Sequence, residues 1–140
     1  METIAIKELA YFTCQSGNLT TEFFSNHDML KGQKAHDYLQ EKYNNKSLSE
    51  VYIKKEINYL GKNYLLHGYI DGVLNIDDEI IIEEIKSTTL DLDEITIDYH
   101  KEHLAQLKIY GYFLAKKSGI YSVRTNKNIT AWCGAEIKKL

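Results

Sequence analysis

Apolar positions along this chain recur first with a helical period, then in alternation, then with a helical period again. Ile6, Leu9, Ala10 and Thr13 are spaced for one helix face, predicting a helix over residues 3–15 that ends near Gly17. Asn18-Leu19-Thr20-Thr21 reads as a connection. From Asp28 to Tyr43 a second helix is expected, with Met29, Gln33, His36, Leu39, Gln40 and Tyr43 near a 3.6-residue period and Asp28 as its cap. Alternation then takes over. Val51–Leu60 and Tyr64–Asp71 read as a hairpin about Gly61-Lys62, Asp77-Asp78 as a turn, and Ile80–Lys86 as a third strand with a buried, β-branched centre. After an acidic loop, Tyr99–Ser118 returns to the helical period, with Leu104, Leu107, Tyr110, Gly111 and Leu114 on its apolar face and Gly119 as its stop. Tyr121–Arg124 and Ile129–Cys133 read as two short final strands. The expected order is α-α-β-β-β-α-β-β, a mixed α/β fold with a central mixed sheet flanked by helices.

Composition adds bounds. At 140 residues and 16.2 kDa, with 44% hydrophobic and 26% charged residues and no proline, the chain is expected to form a single domain over residues 1–140 with a real core. No apolar run approaches the roughly 18–20 residues of a membrane span, and the N-terminus has no signal-peptide pattern. A cytoplasmic domain with no membrane partner is the expectation. Cys14 and Cys133 are too few for a disulfide scaffold, and two thiolates cannot supply the four ligands of an iron–sulfur cluster, so none is expected.

Net charge is −3, which by itself argues against a nucleic-acid partner, but its distribution does not. Between Asp71 and Asp98 there are ten acids and one base, Lys86; between Lys101 and Leu140 there are eight bases and two acids. An acidic centre that collects cations thus precedes a basic third that could face phosphates. Only one of the 17 bases is an arginine, so backbone contact with little sequence reading is expected.

The acidic centre holds the candidate chemistry. Asp71 ends one strand, and Glu84 and Lys86 lie two residues apart on the next, so their side chains leave the same face. That arrangement gathers two carboxylates and one cation at a point. Mg²⁺ takes oxygen ligands and keeps several waters, so two carboxylates suffice to hold it. A lone Glu-x-Lys occurs by chance in most proteins as a surface ion pair. Placed directly after Ile80-Ile81-Ile82, an acid and a lysine at the end of a buried strand are costly to keep, and they call for a reason. Glu83 should point away from Glu84.

The order His36, Gly68-Tyr69-Ile70-Asp71-Gly72, Glu84-Ile85-Lys86, then His103, Gln106 and Tyr110 resembles the RecB-like branch of the PD-(D/E)XK nuclease superfamily. More narrowly, Ser16-Gly17-Asn18-Leu19, Gly32-x-x-x-His36-x-x-Leu39-Gln40, Glu84-Ile85-Lys86-Ser87-Thr88-Thr89 and His103-x-x-Gln106 are similar to the nuclease domain joined to DinG-type helicases, over roughly residues 4–122. The resemblance implies a restriction-endonuclease-like core and a DNA exonuclease dependent on Mg²⁺ or Mn²⁺. It implies that His36, Asp71, Glu84 and the Ile85 carbonyl hold the metal, and that Asp71, Glu84, Lys86, Gln106 and Tyr110 serve catalysis. It also implies that His103, Gln106, Lys108 and Tyr110 meet DNA, with Tyr110 on the backbone or stacked near the scissile nucleotide. A helicase or CRISPR protein is the implied partner. The chain has no Gly-xxxx-Gly-Lys-Ser/Thr phosphate loop of its own. Ser122–Leu140 departs from the pattern, being short, polar and irregular.

Two other classes stay open. One is a nucleic-acid-binding accessory module that keeps the fold and does little chemistry. The other is an interaction protein whose acidic loop Asp91–Asp98 mimics DNA.

Overall fold

The computed structural model describes residues 1–14, 26–88, 101–118, 124–133 and 136–139. Among these described residues nine elements follow one another: β1 (Glu2–Ala5), α1 (Ile6–Thr13), α2 (Asn26–Gln40), β2 (Leu48–Tyr59), β3 (Lys62–Ile76), β4 (Glu79–Thr88), α3 (Lys101–Ser118), β5 (Arg124–Cys133) and β6 (Glu136–Lys139). The expected mixed sheet with helices packed on it is present. Differences lie at its edges. Residues 2–5, expected as the start of the first helix, form β1, because Glu2–Ala5 pairs in parallel with Tyr64–His67 of β3. Backbone pairing outweighs helical spacing for so short a segment. Asp28 is not the cap of α2, which is already helical at Asn26. The expected strand Ile129–Cys133 is part of a longer β5 that starts at Arg124 and runs parallel to β4, followed by an antiparallel β6, so the polar C-terminal segment extends the sheet. Residues 121–123 of the other expected strand lie outside the described residues. The Ser16–Leu19 motif, the Asn18–Thr21 connection, the acidic loop Asp91–Asp98 and the Gly119 stop lie outside the described residues.

The hairpins β2–β3 and β3–β4 each turn on two residues with positive φ. Leu60 (50°) and Gly61 (78°) join β2 to β3, and Asp77 (52°) and Asp78 (62°) join β3 to β4. Two left-handed residues in succession match the right-handed twist of the strands they join. Glycine and aspartate tolerate that conformation; Leu60 does so at a cost.

The long strand β3 organises the sheet. β2 runs along one of its edges from Lys62 to Val73, and the other edge is shared. β1 takes Tyr64–His67, and β4 takes Gly72–Ile76. The β3–β4 ladder begins at Ile76↔Glu79 and stops at Gly72↔Glu83, while β4 continues to Thr88 beside β5. The strands therefore part at Asp71 and Glu84, leaving a fork.

Helices close both sides of that fork. Ile82, Glu83, Glu84 and Ile85 are all buried, and since successive side chains on a strand alternate, both faces of β4 are covered. α2 packs on β4 and β5, and α3 packs on β2, β4, β5 and α1. One buried cluster joins Ile6 of α1, Ile53 of β2, Leu66 and Ile70 of β3, Ile82 of β4, and Leu107 and Tyr110 of α3. Ala35, Leu39, Leu74 and Ile85 are buried outside that cluster. Complete burial of each such leucine or isoleucine side chain contributes about 1.5–3 kcal/mol. Leu104, expected on the apolar face of α3, is exposed. Among the described residues no helix is long and apolar enough to cross a membrane.

Gly68 and Gly72 are shaped by tyrosines. A Cβ at Gly68 would collide with the Tyr110 hydroxyl, and one at Gly72 with that of Tyr43. Gly68→Ala is therefore expected to destabilise the fold by about 1–3 kcal/mol, the usual cost of overpacking a core. Urea denaturation checks this, and an unchanged midpoint would mean that the Tyr110 ring is not seated there.

Candidate metal centre at the strand fork

Asp71 is the hinge of the fork. Its Oδ2 accepts the Ile85 N–H at 2.8 Å, so a side chain bridges β3 to β4 one residue past the last backbone pair. Its other oxygen, Oδ1, lies 3.6 Å from His36 Nδ1. Burial pushes the Asp71 carboxyl above the ordinary carboxylate range, against the opposing pull of the Ile85 N–H and of Lys86.

α2 faces the fork with a polar stripe. His36, Gln40 and Tyr43 follow at i, i+4 and i+7, the last of them one tight turn beyond the helix, with Tyr43 N bonded to Gln40 O at 3.1 Å. Ala35 and Leu39 beside them are buried and anchor the helix. His36 Nε2 lies 3.1 Å from the Ile85 carbonyl oxygen. When Nε2 carries the proton it donates there, fixing the ring and turning the Nδ1 lone pair toward the acids. A hydrogen bond of this kind orients most histidines that bind metals. The Gln40 amide donates both to the Asp71 carbonyl at 3.0 Å and to Glu50 Oε1 at 2.9 Å. Tyr43 donates to Glu83 Oε1 at 2.8 Å, so Glu83 is engaged apart from Glu84, as its place on the strand requires. Burial raises the Tyr43 phenol far above its ordinary value.

Glu50 is the residue that sequence reasoning missed. Its Oε1 lies 3.6 Å from His36 Nδ1, and one ligand atom each from His36, Glu50 and Asp71 falls within a span of 4.8 Å. It sits in β2 between Ser49, which pairs with Gly72, and Val51, which pairs with Ile70, and so lies in step with Asp71. Its φ of 51° is left-handed, a conformation that costs a non-glycine residue about 1–3 kcal/mol and often marks functional positions. A signal was available. The expected strand began at Val51; extending the alternation back to Leu48 puts Glu50 on the same face as Tyr52. The observed turn at Leu60-Gly61, one residue earlier than the expected Gly61-Lys62, brings it across from Asp71 rather than Val73.

Glu84 stands beside this group rather than within it. Its Oε1 is 2.6 Å from Lys86 Nζ, which bears out the shared face expected of the two. Among the described residues its Oε2 is buried and has no hydrogen-bond partner. Burial pushes the Glu84 carboxyl above the ordinary range, and Asp71 adds to the rise while Lys86 opposes it. A pair kept only for stability should satisfy both oxygens, because an orphaned buried acceptor costs about 1–3 kcal/mol or more. One imidazole nitrogen and three carboxylates, one with an unused buried oxygen, form a donor set that suits a divalent cation such as Mn²⁺ or Mg²⁺.

The Ile85 carbonyl, expected on a metal, lies 3.1 Å from His36 Nε2 and keeps a second lone pair. Tyr110, expected at the DNA, is 1% exposed; its hydroxyl lies against Gly68 and takes a hydrogen bond from Gln106 Nε2 at 3.2 Å. A ring enclosed in the core cannot stack on a base. Gln106 is buried too, and one N–H of its amide is directed to the Tyr110 hydroxyl, so the pair packs together on α3. Burial raises the Tyr110 phenol to about 12. His103 is half-buried one turn earlier on α3, and Lys108 is exposed.

No family model and no curated protein matches the chain. Among solved structures, the crystal structure of SSO0001 is similar, with a TM-score of 0.63 and 21% identity over 99% of this chain. The fold is shared. This chain spans 66% of the length of that one, and the likeness carries the architecture alone.

The raised carboxyls set a pH dependence. Asp71 and Glu84 bind protons more tightly folded than unfolded, so the stability they contribute is full below the ordinary carboxylate range, near 4, and is lost as pH rises through their raised values. In EDTA the denaturation midpoint is expected to fall between pH 5 and pH 8, and Glu84→Gln should flatten that fall. A midpoint that rises over this interval in the unaltered protein would contradict the burial assigned to both acids.

Proposed function

We propose that this chain is a divalent-metal-dependent DNA nuclease domain of the RecB-like PD-(D/E)XK kind, an exonuclease that hydrolyses phosphodiester bonds in DNA repair, recombination or processing. The observation that carries this reading is the convergence of His36, Glu50 and Asp71 beside a buried Glu84 with an unused oxygen and an adjacent lysine. The motif order and the restriction-endonuclease-like arrangement of helices and sheet agree with it. A cytoplasmic setting and a separately encoded helicase or CRISPR protein as partner belong to the same proposal.

His36 Nδ1, Asp71 Oδ1, Glu50 and Glu84 Oε2 would hold the cation. When bound, Mg²⁺ or Mn²⁺ supplies Lewis acidity toward phosphate and lowers the pKa of water. The protein's own groups do the rest. Asp71 is aimed by the Ile85 N–H, His36 by the Ile85 carbonyl, and Glu50 by Gln40, so three donors are preset by neighbours that leave them free to face inward. Lys86 is held beside Glu84 with its side chain 22% exposed, where an ammonium offsets charge developing on a phosphate at the mouth of the fork. Lys101, Lys108, Lys116 and Lys117 are exposed along α3 and offer salt-sensitive contacts to the DNA backbone, with His103 on the same helix.

Labelled linear and circular DNA, single- and double-stranded, incubated with Mg²⁺, Mn²⁺ or EDTA, tests the reading. Cleavage of linear DNA that requires a divalent ion is expected, with Asp71→Asn inactive. Lys86→Ala should bind Mn²⁺ nearly as the parent does and turn over at least about a hundredfold more slowly, the loss expected for one preorganised charge. Collapse of Mn²⁺ affinity in Lys86→Ala, or full activity in Asp71→Asn, would overturn these roles.

A further inference from the structure

Asp71 shares its face of β3 with a row of rings. Side chains alternate along a strand, so His67, Tyr69 and Asp71 point the same way, each about 6.8 Å from the next. Across the ladder, Lys54 pairs with His67 and Tyr52 with Tyr69, and Glu50 comes next in step with Asp71. The ring centroids of Tyr52 and Tyr69 are 5.0 Å apart, tilted by 50°, and those of Tyr52 and His67 are 6.1 Å apart, tilted by 51°. The opposite face of the same hairpin carries the core residues Ile53, Leu66 and Ile70.

These rings are not core. Tyr52 is 44% exposed and Tyr69 57%, so each leaves about half its surface in solvent. Cross-strand aromatic pairing supports a sheet, but it would do so better if covered. What the row offers outward is a series of π-faces with a lysine beside it, ending one side-chain step from the acid cluster. Unpaired bases stack on such faces regardless of sequence, and an ammonium beside them meets phosphate. A duplex keeps its base faces within its own stack and cannot use the rings.

We propose that the Tyr52, Tyr69 and His67 face of the β2–β3 hairpin is a track for single-stranded DNA leading to the fork at His36, Glu50 and Asp71. That the occupant is DNA rests on the nuclease reading; that it is a single strand rests on the exposed rings. Tyr69, next to Asp71, seats the base nearest the reactive phosphate, Tyr52 widens the platform, and Lys54 contacts the backbone farther out.

Fluorescence anisotropy with labelled oligo(dT), a DNA duplex of equal length and oligo(rU), in Ca²⁺, tests the track without requiring cleavage. Tyr52→Ala and Tyr69→Ala should each weaken oligo(dT) binding by roughly tenfold or more, as expected for loss of one stacking partner. Duplex binding and Mn²⁺ affinity should be unchanged in both, and Tyr69→Phe should bind as the parent does. Unchanged oligo(dT) affinity in both alanine variants, or an equal loss toward the duplex, would overturn the track. Tighter binding of oligo(rU) than of oligo(dT) would overturn the assignment to DNA. If the rings prove necessary for oligo(dT) while the parent cuts no DNA with Mg²⁺ or Mn²⁺, the track stands and the nuclease reading falls. If the parent cuts and the alanine variants bind oligo(dT) normally, the reverse holds.

Discussion

A single hydrogen bond, from the Ile85 N–H to Asp71 Oδ2, sits where this sheet would otherwise close. Beyond Gly72↔Glu83 the backbones of β3 and β4 no longer pair, and the carboxylate spans the gap in place of a carbonyl. Everything around the fork follows from that substitution. The Ile85 carbonyl is left for His36, the Asp71 carbonyl for Gln40, and Glu84 is turned into the opening with one oxygen on Lys86.

Such an arrangement is expensive for a fold. Asp71, Glu83 and Glu84 are all buried within a strand pair otherwise rich in isoleucine. The effective penalty for burying an ion is several kcal/mol, against about 1.5–3 kcal/mol gained by a buried aliphatic side chain. Glu83 offsets part of its cost through Tyr43. Asp71 and Glu84 are compensated in part, Asp71 by the Ile85 N–H and Glu84 by Lys86, and burial holds both carboxyls above the ordinary range. With Glu50 held in a left-handed conformation nearby, the cost is concentrated at one place. A divalent cation would reverse its sign, because the same carboxylates that repel one another alone would then be ligands.

Much of this was legible in the chain. Alternation and helical period located α2, β2, β3, β4 and α3, and the Glu84–Lys86 spacing placed both side chains on one face. The stripe His36, Gln40 and Tyr43 was visible as a helical repeat, although only packing could show that it reads β3, β2 and β4 at once. What local pattern did not reveal depends on pairing with distant residues. β1 exists because Glu2–Ala5 finds an edge of β3, and β5 because a polar segment finds β4. Glu50 enters the site through strand register, and Tyr110 leaves the surface because Gly68 makes room for its ring.

The fork is expected to bind a divalent cation through side chains of α2, β2, β3 and β4. Anomalous diffraction from crystals of the intact chain grown with Mn²⁺ measures this most directly. A peak within coordination distance of His36 Nδ1, Glu50 and Asp71, with Glu84 Oε2 turned toward it, is expected. Strong peaks elsewhere with none at the fork would contradict it.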